Sequence, residues 1–82
     1  MPEYEVLPNK GKGWGPGEAP PVVDVANTAA GNVQQSTGRY EVKINALPVR
    51  HYLPWSKTDH WPSHGATISI KNVGAVPLMI SW

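Results

Sequence analysis

Cysteine and phenylalanine are both absent from this chain of 82 residues. Without cysteine, neither a disulfide bond nor a cysteine-ligated zinc site can stabilise the fold. The apolar runs are only a few residues long, so no segment reaches the length of a membrane-spanning helix. The N-terminus also lacks the positive region and the apolar stretch of a signal peptide, which predicts a cytoplasmic protein made without secretion.

An excess of charge of one sign is also missing. Seven basic and six acidic residues are scattered along the sequence, and the formal net charge is +1. Nucleic-acid binding needs several Lys or Arg side chains that neutralise a row of phosphates. The sequence contains no such basic run, so it predicts neither a nucleic-acid nor a membrane partner.

The chain is long enough for one domain with a marginal core. Domains of this size bury only about 60% of the surface that their unfolded chains expose. Small domains usually gain the missing stability from disulfides, a metal or association. Since disulfides are excluded, a His/Asp metal site, unusually good packing or contact with other chains has to supply it.

Proline and glycine are concentrated near the N-terminus, most densely in residues 8–21. Helices and central strands do not tolerate this density. The sequence therefore predicts an extended arm over residues 1–38, with room for short edge strands at residues 4–7 and 22–25. Because flexible linkers avoid large apolar groups, Trp14 in the middle of the arm favours an arm that orders against a neighbour.

Alternation of apolar and polar residues indicates β-strands in the second half of the chain. Every second residue is apolar in residues 40–46, 67–71 and 76–82, which is the period of a half-buried strand. Asn72 and Gly74 supply turn chemistry between the last two stretches. These two stretches are therefore predicted to form a hairpin.

The three strands predict a mostly β fold, either a small antiparallel sheet or a partial β-sandwich, over residues 39–82. Pro77 cannot donate a hydrogen bond to a ladder, so the last strand is predicted to be a sheet edge or to be unpaired on its outward side at that position. One face of the sheet is apolar and needs cover from the arm or from another subunit. The inward residues are predicted to be Tyr40, Val42, Ile44, Ile68, Ile70, Leu78 and Ile80.

Residues 48–65 are rich in Trp, His and Pro and are predicted to be a loop. In one interpretation the loop packs over the sheet, because a chain without Phe needs its other large aromatics for the core. In the alternative, the loop binds carbohydrate, with aromatic faces for sugar rings and polar groups beside them. The residues of this ligand site would be Tyr52, Trp55, Asp59, His60, Trp61 and His64.

The same stretch offers weaker possibilities for a metal site. His51, His60 and His64 are zinc-ligand types, and the last two have the spacing of ligands on one helix face. Pro62 and Gly65 oppose a helix there, and three histidines in one loop do not fix tetrahedral geometry. The sequence therefore predicts no metal and no cofactor.

Catalysis is also disfavoured. Ser56 or Ser63, with a histidine and Asp59, supplies the residue types of a catalytic triad. These residues are neighbours in a predicted loop, with no rigid scaffold to orient them. The sequence predicts a protein that is not an enzyme and has no catalytic residues.

Residues 66–82 resemble a segment of small virion proteins from tailed bacteriophages. There a strand, an Asn-x-Gly turn and a second apolar strand recur in capsid decoration, head-fibre and tail-accessory proteins. The resemblance implies a structural protein located in the virion, such as a capsid decoration or cement subunit. It would contact its own copies or a major capsid protein by sheet packing and arm exchange. The residues expected to meet a partner are Tyr4, Val6, Trp14, Val76, Leu78, Ile80 and Trp82.

Overall fold

Two packed antiparallel sheets make up the computed structural model, which describes residues 2–28, 36–45 and 47–82. The mostly β prediction is confirmed, and these residues contain no helix that could cross a membrane. The strands are β1 (Glu3–Val6), β2 (Gly11–Trp14), β3 (Val22–Ala26), β4 (Gly38–Ile44), β5 (Leu47–Leu53), β6 (Thr58–Pro62), β7 (Ile68–Asn72) and β8 (Leu78–Ser81).

The chain passes back and forth between the two sheets. The first sheet has the strand order β1-β8-β3-β6, and the second has the order β2-β7-β4-β5. Among consecutive strands, only β4 and β5 are hydrogen-bonded neighbours. The other described connections cross from one sheet to the other, so each sheet is built from segments distant in sequence.

The predicted hairpin over residues 66–82 is wrong, because β7 and β8 lie in opposite sheets. The buried side chain of Asn72 explains the difference. Its Nδ2 donates to the carbonyl oxygens of Val6 and Val76, at 2.9 and 2.7 Å, and its Oδ1 accepts from the Gly74 backbone N–H at 3.0 Å. These bonds fix a turn that carries the chain across the sandwich. Asn and Gly favour a turn of either kind, so their presence alone does not identify a hairpin.

Strand β8 is also not an edge, since it lies between β1 and β3. Pro77 precedes the first residue of the strand, Leu78, where no ladder N–H is required of it. The edge prediction failed because it placed the proline inside the strand.

The predicted loop over residues 48–65 is corrected as well, since it contains most of β5 and all of β6. Its prolines led to the loop interpretation. Pro48 and Pro62 belong to strands at the edges of the two sheets, where proline is tolerated. The intervening turn contains Ser56, which has a positive φ of 68°.

Residues of the predicted arm supply β1, β2 and β3, which pair with strands of the same chain. Strand β2 shows how a glycine-rich segment joins a sheet. A Cβ added to Gly11 would lie 2.7 Å from the backbone oxygen of Ile70, so this close approach requires glycine. Most of the apolar face predicted to need cover is therefore covered from within the chain.

The core lies between the sheets, and ten apolar residues of the described part of the chain are buried in it. Of the predicted inward residues, Tyr40, Val42, Ile68, Ile70, Leu78 and Ile80 are buried, and Ile44 is partly buried. The remaining core residues are Val6, Val23, Val25 and Leu53.

An aromatic cluster closes the side of the sandwich where β1 faces β2. Lys12 Nζ lies 5.4, 5.1 and 5.2 Å from the ring centroids of Tyr4, Trp14 and Trp82, respectively. The two tryptophan rings meet edge to face at 5.0 Å, and the Trp82 backbone N–H donates to the Pro2 carbonyl. Cation–π contacts of this kind are favourable, so the cluster ties the chain end to β1 and β2.

Candidate functional site

The opposite side of the sandwich is open. In the part of the chain that the structure describes, β5 pairs only with β4, and β6 pairs only with β3. Leu47, Val49 and His51 of β5 lie across from Ile44, Val42 and Tyr40 of β4. Directly opposed residues point to the same side of a sheet. This row of β5 therefore faces inward, toward the gap beside β6.

A groove of about 400 Å³ runs along this gap, and we name it the β5–β6 groove. Although the row on β5 faces inward, Leu47 is 77% exposed and Val49 is 52% exposed. The groove is thus an extension of the core that the chain leaves open to solvent. The lining residues are Val42, Ile44, Leu47, Val49, His51 and Trp61.

A polar and aromatic cluster forms one wall of the groove. The buried Tyr40 hydroxyl donates to the Asp59 carboxylate and accepts from Trp61 Nε1, the latter at 2.8 Å. The His51 ring stacks on Tyr40 with centroids 5.6 Å apart and contacts Trp61 at 4.6 Å. These contacts link β4, β5 and β6 and give the wall a fixed shape.

Burial raises the pKa of the Tyr40 hydroxyl well above its ordinary value near 10, and the hydrogen bond to Asp59 raises it further. Below pH 10 both the folded and the unfolded chain keep this proton. Above pH 10 the unfolded chain loses it while the folded chain retains it, so stability falls as the pH rises.

The expected result is a fall in melting temperature above pH 10 that is smaller in a Tyr40→Phe variant. Thermal unfolding of both proteins between pH 8 and pH 12 would measure it, with circular dichroism as the signal. The two proteins differ only in the Tyr40 hydroxyl, so the difference between their profiles reports on that group. Parallel alkaline profiles would contradict the assigned environment of Tyr40.

The predicted carbohydrate residues do not form one platform. Tyr52 is 72% exposed and alternates with the inward row of β5, so it faces outward from the second sheet. His60 faces outward from the first sheet, with Nδ1 at 2.6 Å from Asp24 Oδ1. Asp59 and Trp61 face inward to Tyr40, and Trp55 and His64 lie in the turns before and after β6.

The residues considered for a metal or a triad are also separated. No group of three or more His, Asp or Glu side chains in the described residues is placed to hold a metal ion. His51 faces the groove, whereas His60 faces outward beside Asp24. The buried Ser63 hydroxyl donates to the Pro20 carbonyl oxygen at 2.6 Å. This bond joins the turn after β6 to the segment that precedes β3.

The residues predicted to meet a partner serve the chain's own fold. Val6, Leu78 and Ile80 are completely buried. Val76 is partly buried, and its carbonyl accepts from Asn72. Tyr4, Trp14 and Trp82 surround Lys12, and Tyr4 keeps an exposed part.

Sequence reasoning missed Leu47 and Val49, the most exposed residues of the groove. The signal was present, because Leu47, Val49 and His51 recur with period two directly after a recognised strand. Pro48 led to a loop interpretation and concealed that alternation.

Comparisons of the chain with family models, with curated proteins and with solved structures found no match. The function is therefore inferred from the groove and the surfaces around it.

Proposed function

We propose that the chain is a non-enzymatic structural subunit that works by associating with other protein subunits through the β5–β6 groove. The groove supports this proposal because it leaves core-facing apolar residues exposed beside two sheet edges. The resemblance of residues 66–82 to small bacteriophage virion proteins suggests the setting, that of a capsid decoration subunit or another small virion component. This resemblance rests on the sequence alone, because β7 and β8 do not pair as a hairpin. The arm is the less favoured contact, because β1, β2 and β3 pair within the chain.

A second copy of the chain is the partner that this patch favours. The patch has both an exposed apolar side chain, Leu47, and a groove of about 400 Å³ that this side chain borders. A two-fold interface uses the same patch on both subunits, so a patch with both shapes is self-complementary. Leu47 of each copy would enter the groove of the other and remove both apolar rows from water.

Side-chain packing, rather than a continuous ladder, would make this contact. Pro48 in β5 and Pro62 in β6 have no backbone N–H, and Arg50 places a charge on the edge of β5. Such residues limit uncontrolled pairing of edge strands. They leave the apolar rows free to pack, which favours a defined dimer over open-ended strand addition.

Leu47→Asp is expected to weaken self-association at least about a hundredfold, as for the loss of a central interface residue. Because Leu47 is largely exposed in the single chain, the free energy of unfolding should change by less than about 1 kcal/mol. Sedimentation equilibrium at about 1 M salt, where charge contacts are screened, gives the dissociation constant.

Leu7→Asp is the matched control, because Leu7 is also an exposed leucine, 49% accessible, but follows β1 at the closed side. It should leave association unchanged. Equal weakening by both variants would show that surface hydrophobicity, not the groove, governs association. A wild-type chain that is monomeric at every concentration would remove the proposal.

A carbohydrate-binding module is disfavoured because Trp61 packs against Tyr40 and His51 and is hydrogen-bonded through Nε1. Tyr52 lies on the outer side of the other sheet, away from Trp61. Tryptophan fluorescence titrated with a broad glycan panel separates the two functions. A saturable change that disappears in Trp61→Ala would favour carbohydrate binding over assembly.

A further inference from the structure

The outer face of the second sheet collects most of the basic residues of the chain, and we name it the basic face. In β4 the exposed Arg39 and Lys43 alternate with the buried Tyr40 and Val42, so both cations point outward. The same alternation turns Arg50 of β5 and Lys71 of β7 outward. One carboxylate, Glu41, lies among them and accepts from Arg50 Nε at 2.9 Å.

The outer face of the first sheet carries the opposite charge, and we name it the acidic face. Val6 is buried at the end of β1, so alternation turns Glu3 and Glu5 outward. Asp24 lies between the buried Val23 and Val25 and also faces outward. The only basic-type side chain that the described residues place beside these carboxylates is His60, in contact with Asp24.

Charges scattered in sequence are thus sorted in space. The basic face has four cations and one carboxylate, and the acidic face has three carboxylates, whereas the chain as a whole has a net charge of only +1. Opposite potentials on opposite sides of one molecule favour contact between unlike faces of different copies.

We propose that the basic face of one copy binds the acidic face of a second copy, in a head-to-tail stack. The molecule measures 36 × 26 × 17 Å. Head-to-tail contacts use two different surfaces, so they build rings or filaments rather than closed two-fold dimers.

A polyanion such as nucleic acid is the other partner that a basic face could bind. One observation favours a second copy. The acidic face supplies an anionic surface built on a sheet with the same number of strands. This inference does not rest on the β5–β6 groove, which lies at a different surface.

Salt distinguishes the two contacts. The Debye length falls from about 30 Å at 0.01 M salt to about 3 Å at 1 M salt, so the stack should form only at low ionic strength. The apolar groove contact should persist at 1 M. The molar mass, measured by light scattering at about 0.01 M and 1 M salt, therefore distinguishes the two contacts. The value at about 1 M salt reports on the groove contact, and the increase at about 0.01 M salt reports on the stack.

Two double variants test the faces. Lys43→Glu with Lys71→Glu reverses the basic face, and Glu3→Lys with Glu5→Lys reverses the acidic face. Each variant alone should lose the additional mass at low salt, with association weakened at least about a hundredfold by like charges across the contact. The matched control is Lys10→Glu with Lys57→Glu, which changes net charge equally at exposed turn positions and should still stack.

Mixing the two reversed variants should restore the low-salt assembly, because each then presents the charge that the other lacks. Circular dichroism confirms that each variant is folded. The proposal would be overturned if the molar mass of the wild-type protein did not increase at low salt. It would also be overturned if both charge-reversed variants still formed the stack. A third result would be a wild-type protein that forms no stack but binds a single-stranded oligonucleotide, together with a basic-face variant that has lost that binding. This result would assign the basic face to a polyanion.

Discussion

Replacing Asn72 by alanine should reduce the free energy of unfolding by about 3 kcal/mol or more, since each buried polar group left without a partner costs about 1–3 kcal/mol. The side chain of Asn72 is completely buried and satisfies two carbonyl oxygens and one N–H in the crossing between the sheets. A chain of this length has a total stability of about 4–12 kcal/mol, so the loss is a large fraction of it. Chemical denaturation followed by circular dichroism measures the change.

Ser69→Ala is the control for this substitution, because Ser69 is in the same strand, β7, but on its outer face. The expected change is within about 0.5 kcal/mol. Similar unfolding midpoints for Asn72→Ala and Ser69→Ala would contradict the role of Asn72 in fixing the crossing.

Tyr40→Ala should destabilise the fold by about 3–5 kcal/mol, as for other large buried aromatics. Tyr40 is completely buried, and its hydroxyl joins Asp59 and Trp61. Removing the ring opens a cavity and also removes the wall that supports the β5–β6 groove. Guanidinium unfolding gives the loss, and the fluorescence of the folded state should change because Trp61 loses two contacts with Tyr40.

Tyr40→Phe separates packing from hydrogen bonding. It keeps the ring and removes the hydroxyl, so the expected loss is about 1–3 kcal/mol. A loss in Tyr40→Ala no larger than that in Tyr40→Phe would mean that the ring contributes little to the core.

The period-two pattern predicted the strands in which one face is buried and the other exposed. Residues 40–46 and 67–71 alternate cleanly, and β4 and β7 were found there. Strand β2 was not predicted, because glycine carries no side chain from which a pattern can be read. Its strand geometry depends on a close approach to β7 that only the assembled sheet provides.

The sheet to which each strand belongs could not be predicted from local sequence patterns. Strands β7 and β8 are separated by residues that suit a hairpin, yet the Asn72 side chain bonds to Val6, a residue 66 positions away. Such a long-range contact leaves no periodic signal in the sequence. The candidate surfaces could not be predicted for the same reason, because Glu41, Arg50 and Lys71 become neighbours only after the strands pair.

We propose that one chain completes its own sandwich and associates through the edge that it leaves open. The molar mass of the full chain, measured by light scattering at about 1 M salt, tests this association most directly, because that salt concentration screens charge contacts. We expect a dimer of twice the 8.9 kDa chain mass, and a folded, β-rich monomer for Leu47→Asp. A wild-type mass of 8.9 kDa at every concentration would contradict it.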